Sequence, residues 1–120
     1  MPYPPSYLEF IHLFNERLFF EAHEVLEGLW RAEKGRSRDF FQGLIQLAAF
    51  FVHLENNNLP GAERLLVTAS AYLKPYGLQY LGVRIDRVLE QTQNTLALAL
   101  SDLSREGSIQ FFKIEVIPSV

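Results

Sequence analysis

The sequence predicts an all-α protein, a compact bundle of about five helices followed by an extended C-terminal tail. Apolar residues recur at helical spacing along five stretches. Asn, Gly and Pro cluster between those stretches, where chain breaks belong. The one segment rich in β-branched and aromatic residues, Ile109 to Ile117, is short and single. A lone strand cannot stand by itself, so this segment is expected to lie extended over the bundle.

A chain of 120 residues amounts to one domain, here residues 1–120. Hydrophobic residues at 48% and charged residues at 21% are globular proportions and argue against disorder. Ten Phe and five Tyr against one Met point to a core of rigid aromatic packing. The net charge of −3 lacks the basic excess of a nucleic-acid binder. With no cysteine, disulfides, thiolate catalysis and cysteine-bound zinc are excluded. The opening segment has no basic run leading into an apolar one, so it does not read as a secretory signal. The longest apolar stretch, Phe40 to Leu54, falls short of the roughly 18–20 residues that span a bilayer. A cytoplasmic protein that binds neither nucleic acid nor membrane is the expectation.

Each element has its own signals. Pro4-Pro5 holds the start extended, and Ser6 with Glu9 has capping-box spacing for the first helix. Phe10, Ile11, Phe14 and Leu18 recur on one face of it, with a break near Asn15-Glu16-Arg17. A second helix should run from about Phe19 to Glu33. Lys34-Gly35-Arg36-Ser37 is a loop by composition, and Ser37 or Asp39 can cap a third helix reaching about Asn56. The second and third helices should pack antiparallel, because so short a loop turns the chain straight back. Asn56-Asn57-Asn58 makes a turn, and Pro60 opens a fourth helix. Gly61, Ala62, Ala69 and Ala71 in it suggest a close helix–helix approach. Pro75 and Gly77 end that helix, and the chain through Gly82 should be irregular. The fifth helix carries Ile85, Val88, Leu89, Thr92, Leu96, Ala99, Leu100 and Leu103 as its inward stripe.

Chemistry concentrates on the second and third helices. At about 100° per residue, Phe19, Ala22, Val25, Leu26, Leu29 and Trp30 form the apolar face of the second. His23 sits at its edge, Glu27 one turn further on, and Glu24 a little further round. Phe20 points into the same polar sector, which implies a second packing surface there. The third helix is apolar on most sides and should be the most buried. Its polar exceptions Gln42, Gln46 and His53 align within about 40° of one another.

Two readings fit this cluster of His23, Glu24, Glu27, Gln42, Gln46 and His53. In one, the groups satisfy each other's hydrogen bonds, with help from the Trp30 indole, and fix the register of two helices. That reading expects both histidines mostly buried and one of them bonded to Glu24 or Glu27 within about 3.2 Å. In the other, His23, Glu27 and His53 form a two-histidine, one-carboxylate site for a divalent metal. The second and third helices carry neither the Glu-x-x-His pairs of di-iron bundles nor the His-Glu-x-x-His segment of metalloproteases. Arg31, Lys34, Arg36 and Arg38 make a basic patch without a Gly-rich phosphate cradle, and read as a solvated loop. No serine stands in a nucleophile-elbow context.

Phe14-Asn15, Phe20-Glu21-Ala22-His23-Glu24-Val25-Leu26-Glu27 with Trp30-Arg31, Phe41-Gln42-Gly43-Leu44-Ile45-Gln46-Leu47-Ala48 with His53, then Asn58 and Gly61-Ala62 together resemble one family, domain of unknown function 309. The resemblance covers about residues 7 to 85. It implies a compact helical bundle and brings no reaction or established cofactor. The family's shared motifs fall on the six cluster residues. Its usual glycine after the Phe-Asn pair is replaced here by Arg17 or Leu18. The expected function is a non-catalytic scaffold or interaction module with a structural His/Glu/Gln network; the alternative is a small-ligand-binding or metal-dependent enzyme at His23, Glu27 and His53. No cofactor is expected under the first reading. Leu98 and one of Phe111 or Phe112 remain as apolar positions outside the assigned core, which suggests a homodimer that hides them.

Overall fold

The computed structural model describes residues 3–101 and 109–118. Among these residues five α-helices follow one another: α1 (Pro5–Asn15), α2 (Phe19–Ala32), α3 (Arg38–Glu55), α4 (Leu59–Leu73) and α5 (Ile85–Ser101). Between α4 and α5 the chain is not irregular. It makes one 3-10 turn, Lys74–Tyr76, and then a minimal hairpin of β1 (Gln79–Tyr80) and β2 (Val83–Arg84). Leu81 and Gly82 form its two-residue turn, both at positive φ, which suits the right-handed twist of a short antiparallel pair.

Helix starts were harder to read than helix bodies. The α1 start needs no Ser6 cap: Pro4 takes the N-cap position without a side-chain hydrogen bond, and Pro5 opens the helix. Proline suits that position because its missing N–H would have had no partner there. Ser37 precedes α3 but caps nothing; its hydroxyl pairs with the Tyr80 hydroxyl at 2.7 Å. Asn58 does cap α4, accepting from the Gly61 N–H at 3.0 Å. Both tight turns use left-handed residues, Arg17 at φ 64° and Asn57 at φ 56°. Arg17 thus adopts a conformation that glycine takes without strain. Its guanidinium lies 4.2 Å over the Phe111 ring, a cation–π contact that a glycine could not make.

The core is aromatic, as the composition implies. Tyr7, Phe10, Phe14, Phe19, Phe40, Phe41, Phe50 and Phe51 are fully buried or nearly so. Phe51 stacks on Phe19 at 4.6 Å and meets Phe14 edge-on at 5.5 Å, tying α1, α2 and α3 together. Helix α3 buries ten of its residues, more than any other described helix. It packs on both α2 and α4. The close approach of α3 to α4 is made at Gly43, not at Gly61. A Cβ on Gly43 would lie 2.6 Å from Leu73, whereas one on Gly61 would strike the capping side chain of Asn58. Ala62 and Ala69 are buried in the α4 face, and Ala71 is exposed.

On α5 the inward stripe holds through Ile85, Val88, Leu89, Thr92 and Leu96, while Leu100 turns outward at 41% exposure. Leu103 lies outside the described residues. The tail from Ile109 runs extended without pairing as a strand, and Ile114 drops into the core. Side chains hold it. Asn15 clamps the Ile114 peptide from both sides, donating to its carbonyl at 3.0 Å and accepting from its N–H at 2.7 Å. The Ile117 N–H donates to the Gly82 carbonyl, and the Tyr3 hydroxyl donates to the Ile117 carbonyl.

Candidate functional site

Helices α2 and α3 run antiparallel, and their ends show it. Arg38, at the start of α3, donates to the Trp30 and Glu33 carbonyls at the end of α2, at 2.9 and 3.0 Å. A cation on the last carbonyls of a helix satisfies unpaired acceptors and opposes the helix dipole. The same guanidinium lies 4.4 Å over the Trp30 ring. Trp30 therefore serves this corner, and its indole N–H makes no hydrogen bond to a described residue. At the other end, the Glu55 carboxyl is held above its ordinary range, first by burial and then by the charge of Glu21.

The cluster itself divides into two sets. On α2, His23 Nε2 lies 3.4 Å from Glu27 Oε2, and each side chain is 30% exposed. The other Glu27 oxygen accepts from Arg31, so His23, Glu27 and Arg31 form a ladder at four-residue steps. Glu24 is exposed and has no cationic partner among the described residues. On α3, Gln42, Gln46, Ala49 and His53 are all half-buried, a continuous seam along the helix. The two glutamine side chains make no hydrogen bond to a described residue. The hydrogen-bond partner of His53 among the described residues lies on the turn into α4. His53 Nδ1 is 3.1 Å from the Asn58 amide nitrogen, while the Asn58 amide oxygen accepts from Gly61 N–H. An amide nitrogen can only donate, so His53 is the acceptor and carries its ring proton on Nε2. His53 thereby orients the cap of α4.

Both histidines are half-buried, and among the described residues the His23–Glu27 contact at 3.4 Å is longer than the expected hydrogen bond of about 3.2 Å. One polar atom stands out: His23 Nδ1 is buried and has no hydrogen-bond partner among the described residues. Among the described residues no three His, Asp or Glu groups converge to hold a metal. A surface cleft of about 430 Å³ opens elsewhere, against Lys74, Leu78, Asp86 and Glu90, and a smaller one of about 110 Å³ lies between α5 and the tail. The basic patch is only partly a solvated loop. Arg38 is bound as described, and Arg36 lies 5.6 Å over the Tyr80 ring.

Sequence reasoning missed Arg38 as a helix cap and Asn58 as the partner of His53. The second carried a signal, because Asn immediately before Leu-Pro-Gly is a preferred N-cap. No described helix is long and apolar enough to cross a membrane.

Comparison with known proteins agrees with the motifs. A curated relative, "Uncharacterized protein YpuF" of Bacillus subtilis (strain 168), is 32% identical over 96 residues. That alignment takes in 77% of this chain and 55% of the relative, so the chain spans about half the length of the protein it matches. The family model described as "Domain of unknown function (DUF309)" matches residues 7–65, ending within α4 and short of residue 85. It takes in α1 from Tyr7 on, α2, α3 and the capped start of α4, and with them all six cluster residues. The segment from Tyr7 to Leu65 belongs to the domain of unknown function 309 family.

Proposed function

We propose that this protein is a non-catalytic scaffold or interaction module whose polar α2 and α3 groups serve the architecture. The observation that carries this reading is His53. Its ring nitrogen is spent on Asn58, and through it on the first turn of α4. Glu27 is similarly committed, shared between His23 and Arg31 along one helix. A catalytic carboxylate or ligating histidine needs hydrogen-bonding capacity left over for a substrate. These groups use theirs within and between helices. The homo-oligomer anticipated from exposed apolar residues belongs to the same reading, since an interaction module needs a surface to offer.

One observation favours the alternative of a small-ligand or metal-dependent enzyme at His23, Glu27 and His53. The buried His23 Nδ1, without a partner among the described residues, is the kind of group a bound ligand satisfies. Elemental analysis of protein purified without a metal-affinity column separates the two, together with thermal melts with and without chelator. The scaffold reading expects no near-stoichiometric metal and a melt that chelator leaves unchanged. One metal per chain, with a melt lowered by chelator, would overturn it.

A further inference from the structure

The outer face of α2 is left uncovered by the described residues. Phe20, Glu21, Glu24, Gly28, Arg31 and Ala32 share one sector of the helix, and all six are exposed. Phe20 keeps 57% of its surface in water, although the sequence implied a packing surface over it. Its ring leans on His23 at 6.3 Å, nearly parallel, and on no other ring among the described residues. Gly28 stands in the middle of α2, where glycine is the poorest helix former after proline. A Cβ placed there would meet nothing within 4 Å among the described residues, so none of their contacts requires glycine. A bare backbone at the centre of an exposed helix face lets a second helix approach closely.

Charge along this face is segregated. Glu21 and Glu24 occupy the N-terminal half and have no cationic partner among the described residues. Glu55 from the end of α3 adds a third carboxylate there, close enough to Glu21 for the two to repel. Arg31, paired with Glu27 on its own helix but with its side chain still 69% exposed, closes the C-terminal half, and the exposed Lys34 and Arg36 follow it. A face that is acidic at one end and basic at the other complements itself when turned end for end. A two-fold axis makes that operation, and cyclic dimers are the commonest soluble oligomers.

We propose that the outer face of α2 is a self-association surface, on which a second copy of this chain packs its own α2 antiparallel. Glu21 and Glu24 of one protomer then face Arg31 and Lys34 of its partner, Gly28 admits the close approach, and Phe20 leaves water. This inference rests on the interaction-module reading and gives it a partner.

Sedimentation of the full chain over a concentration series, with variants on this face, tests it. Wild type should form a dimer at micromolar concentration. Phe20→Glu and Gly28→Arg should each weaken that dimer at least about tenfold while circular dichroism stays native, because Phe20 is exposed outside the core and Gly28 faces open space. Charge reversal reads the orientation. Glu21→Lys with Glu24→Lys makes the face uniformly basic, and Arg31→Glu with Lys34→Glu makes it uniformly acidic. Each double variant alone should be monomeric, and mixing the two should restore the dimer. A wild type that stays monomeric at high micromolar concentration overturns the inference and leaves the face to a different chain. A dimer indifferent to Phe20→Glu and Gly28→Arg overturns it too, as does a mixture that fails to pair. None of these outcomes touches the interaction-module reading, whose failure would appear as stoichiometric metal and a chelator-sensitive melt.

Discussion

The phenol of Tyr7 shows how one atom can fasten two distant parts of the chain. Its ring is fully buried, and its hydroxyl donates to the Leu81 carbonyl at 2.8 Å, tying α1 to the hairpin turn. Burial, and to a lesser degree the nearby Tyr3, pushes its ionisation well above the ordinary tyrosine range. Tyr76 is raised as well, again chiefly by burial; its hydroxyl donates to the Arg36 carbonyl and accepts from the Phe40 N–H. Tyr7→Phe keeps the ring and removes the donor, so it should lower unfolding free energy in urea melts by about 1–2 kcal/mol. The raised ionisation also sets a pH dependence. In the unfolded chain the phenol ionises near pH 10, while the folded chain resists. The stabilising contribution is therefore complete below about pH 10 and is lost as the pH climbs towards the folded value. Wild type should lose stability in that alkaline window, and Tyr7→Phe should lose measurably less.

Two glycines within helices give opposite predictions for the same substitution. Gly43 on α3 faces α4 so closely that an added Cβ would lie 2.6 Å from Leu73 and 3.1 Å from the Tyr72 Cβ. Leu73 is fully buried and has little room to yield. Gly43→Ala should destabilise by about 1–3 kcal/mol despite the better helix propensity of alanine. Gly28 on α2 has open space instead. Gly28→Ala should stabilise the monomer by about 0.5–1 kcal/mol, through the backbone freedom glycine loses on folding. Chemical denaturation at submicromolar concentration measures both. Agreement in sign between the two would contradict the packing described for α3 and α4. At this scale the sequence read well. Five helices, their order and the apolar faces of α2 and α5 followed from periodicity and breaks, because helical spacing is a local property. The hairpin after α4 escaped notice, since two strands of two residues leave no periodic signal.

Across the whole molecule, the C-terminal tail closes over the first turn of the fold through few but specific contacts. Asn15 matches both polar groups of the Ile114 peptide, and Ile114 is 2% exposed. Arg17 of the same turn covers Phe111, while Phe112 packs on Phe14 and Phe51. Asn15→Ala leaves a buried N–H and carbonyl to compete for water and should cost about 1–3 kcal/mol. Hydrogen exchange should show the Ile114 amide losing protection well before amides of α3 do. Uniform loss across the chain would mean that tail and bundle unfold as one unit.

What the sequence determined by itself was local. Amphipathic spacing, Pro and Gly breaks, and charge composition set the helices, their boundaries within a few residues, the aromatic core and the family of residues 7–65. The alignment of Gln42, Gln46 and His53 on one line of α3 was equally legible, for it needs only the helical repeat. Which partners those residues take was decided by tertiary structure. His53 and Asn58 are five residues apart across a turn, and only the left-handed Asn57 between them brings the imidazole onto the amide. Arg38 reaches Trp30 and Glu33 because α2 and α3 lie antiparallel at one spacing. Asn15 and Ile114 are 99 positions apart. A hydrogen bond holds over a few tenths of an ångström and a narrow range of angles, whereas a helical face tolerates whole residues of error. Periodicity can place a side chain on a face, but only the packed backbone brings its partner within bonding distance.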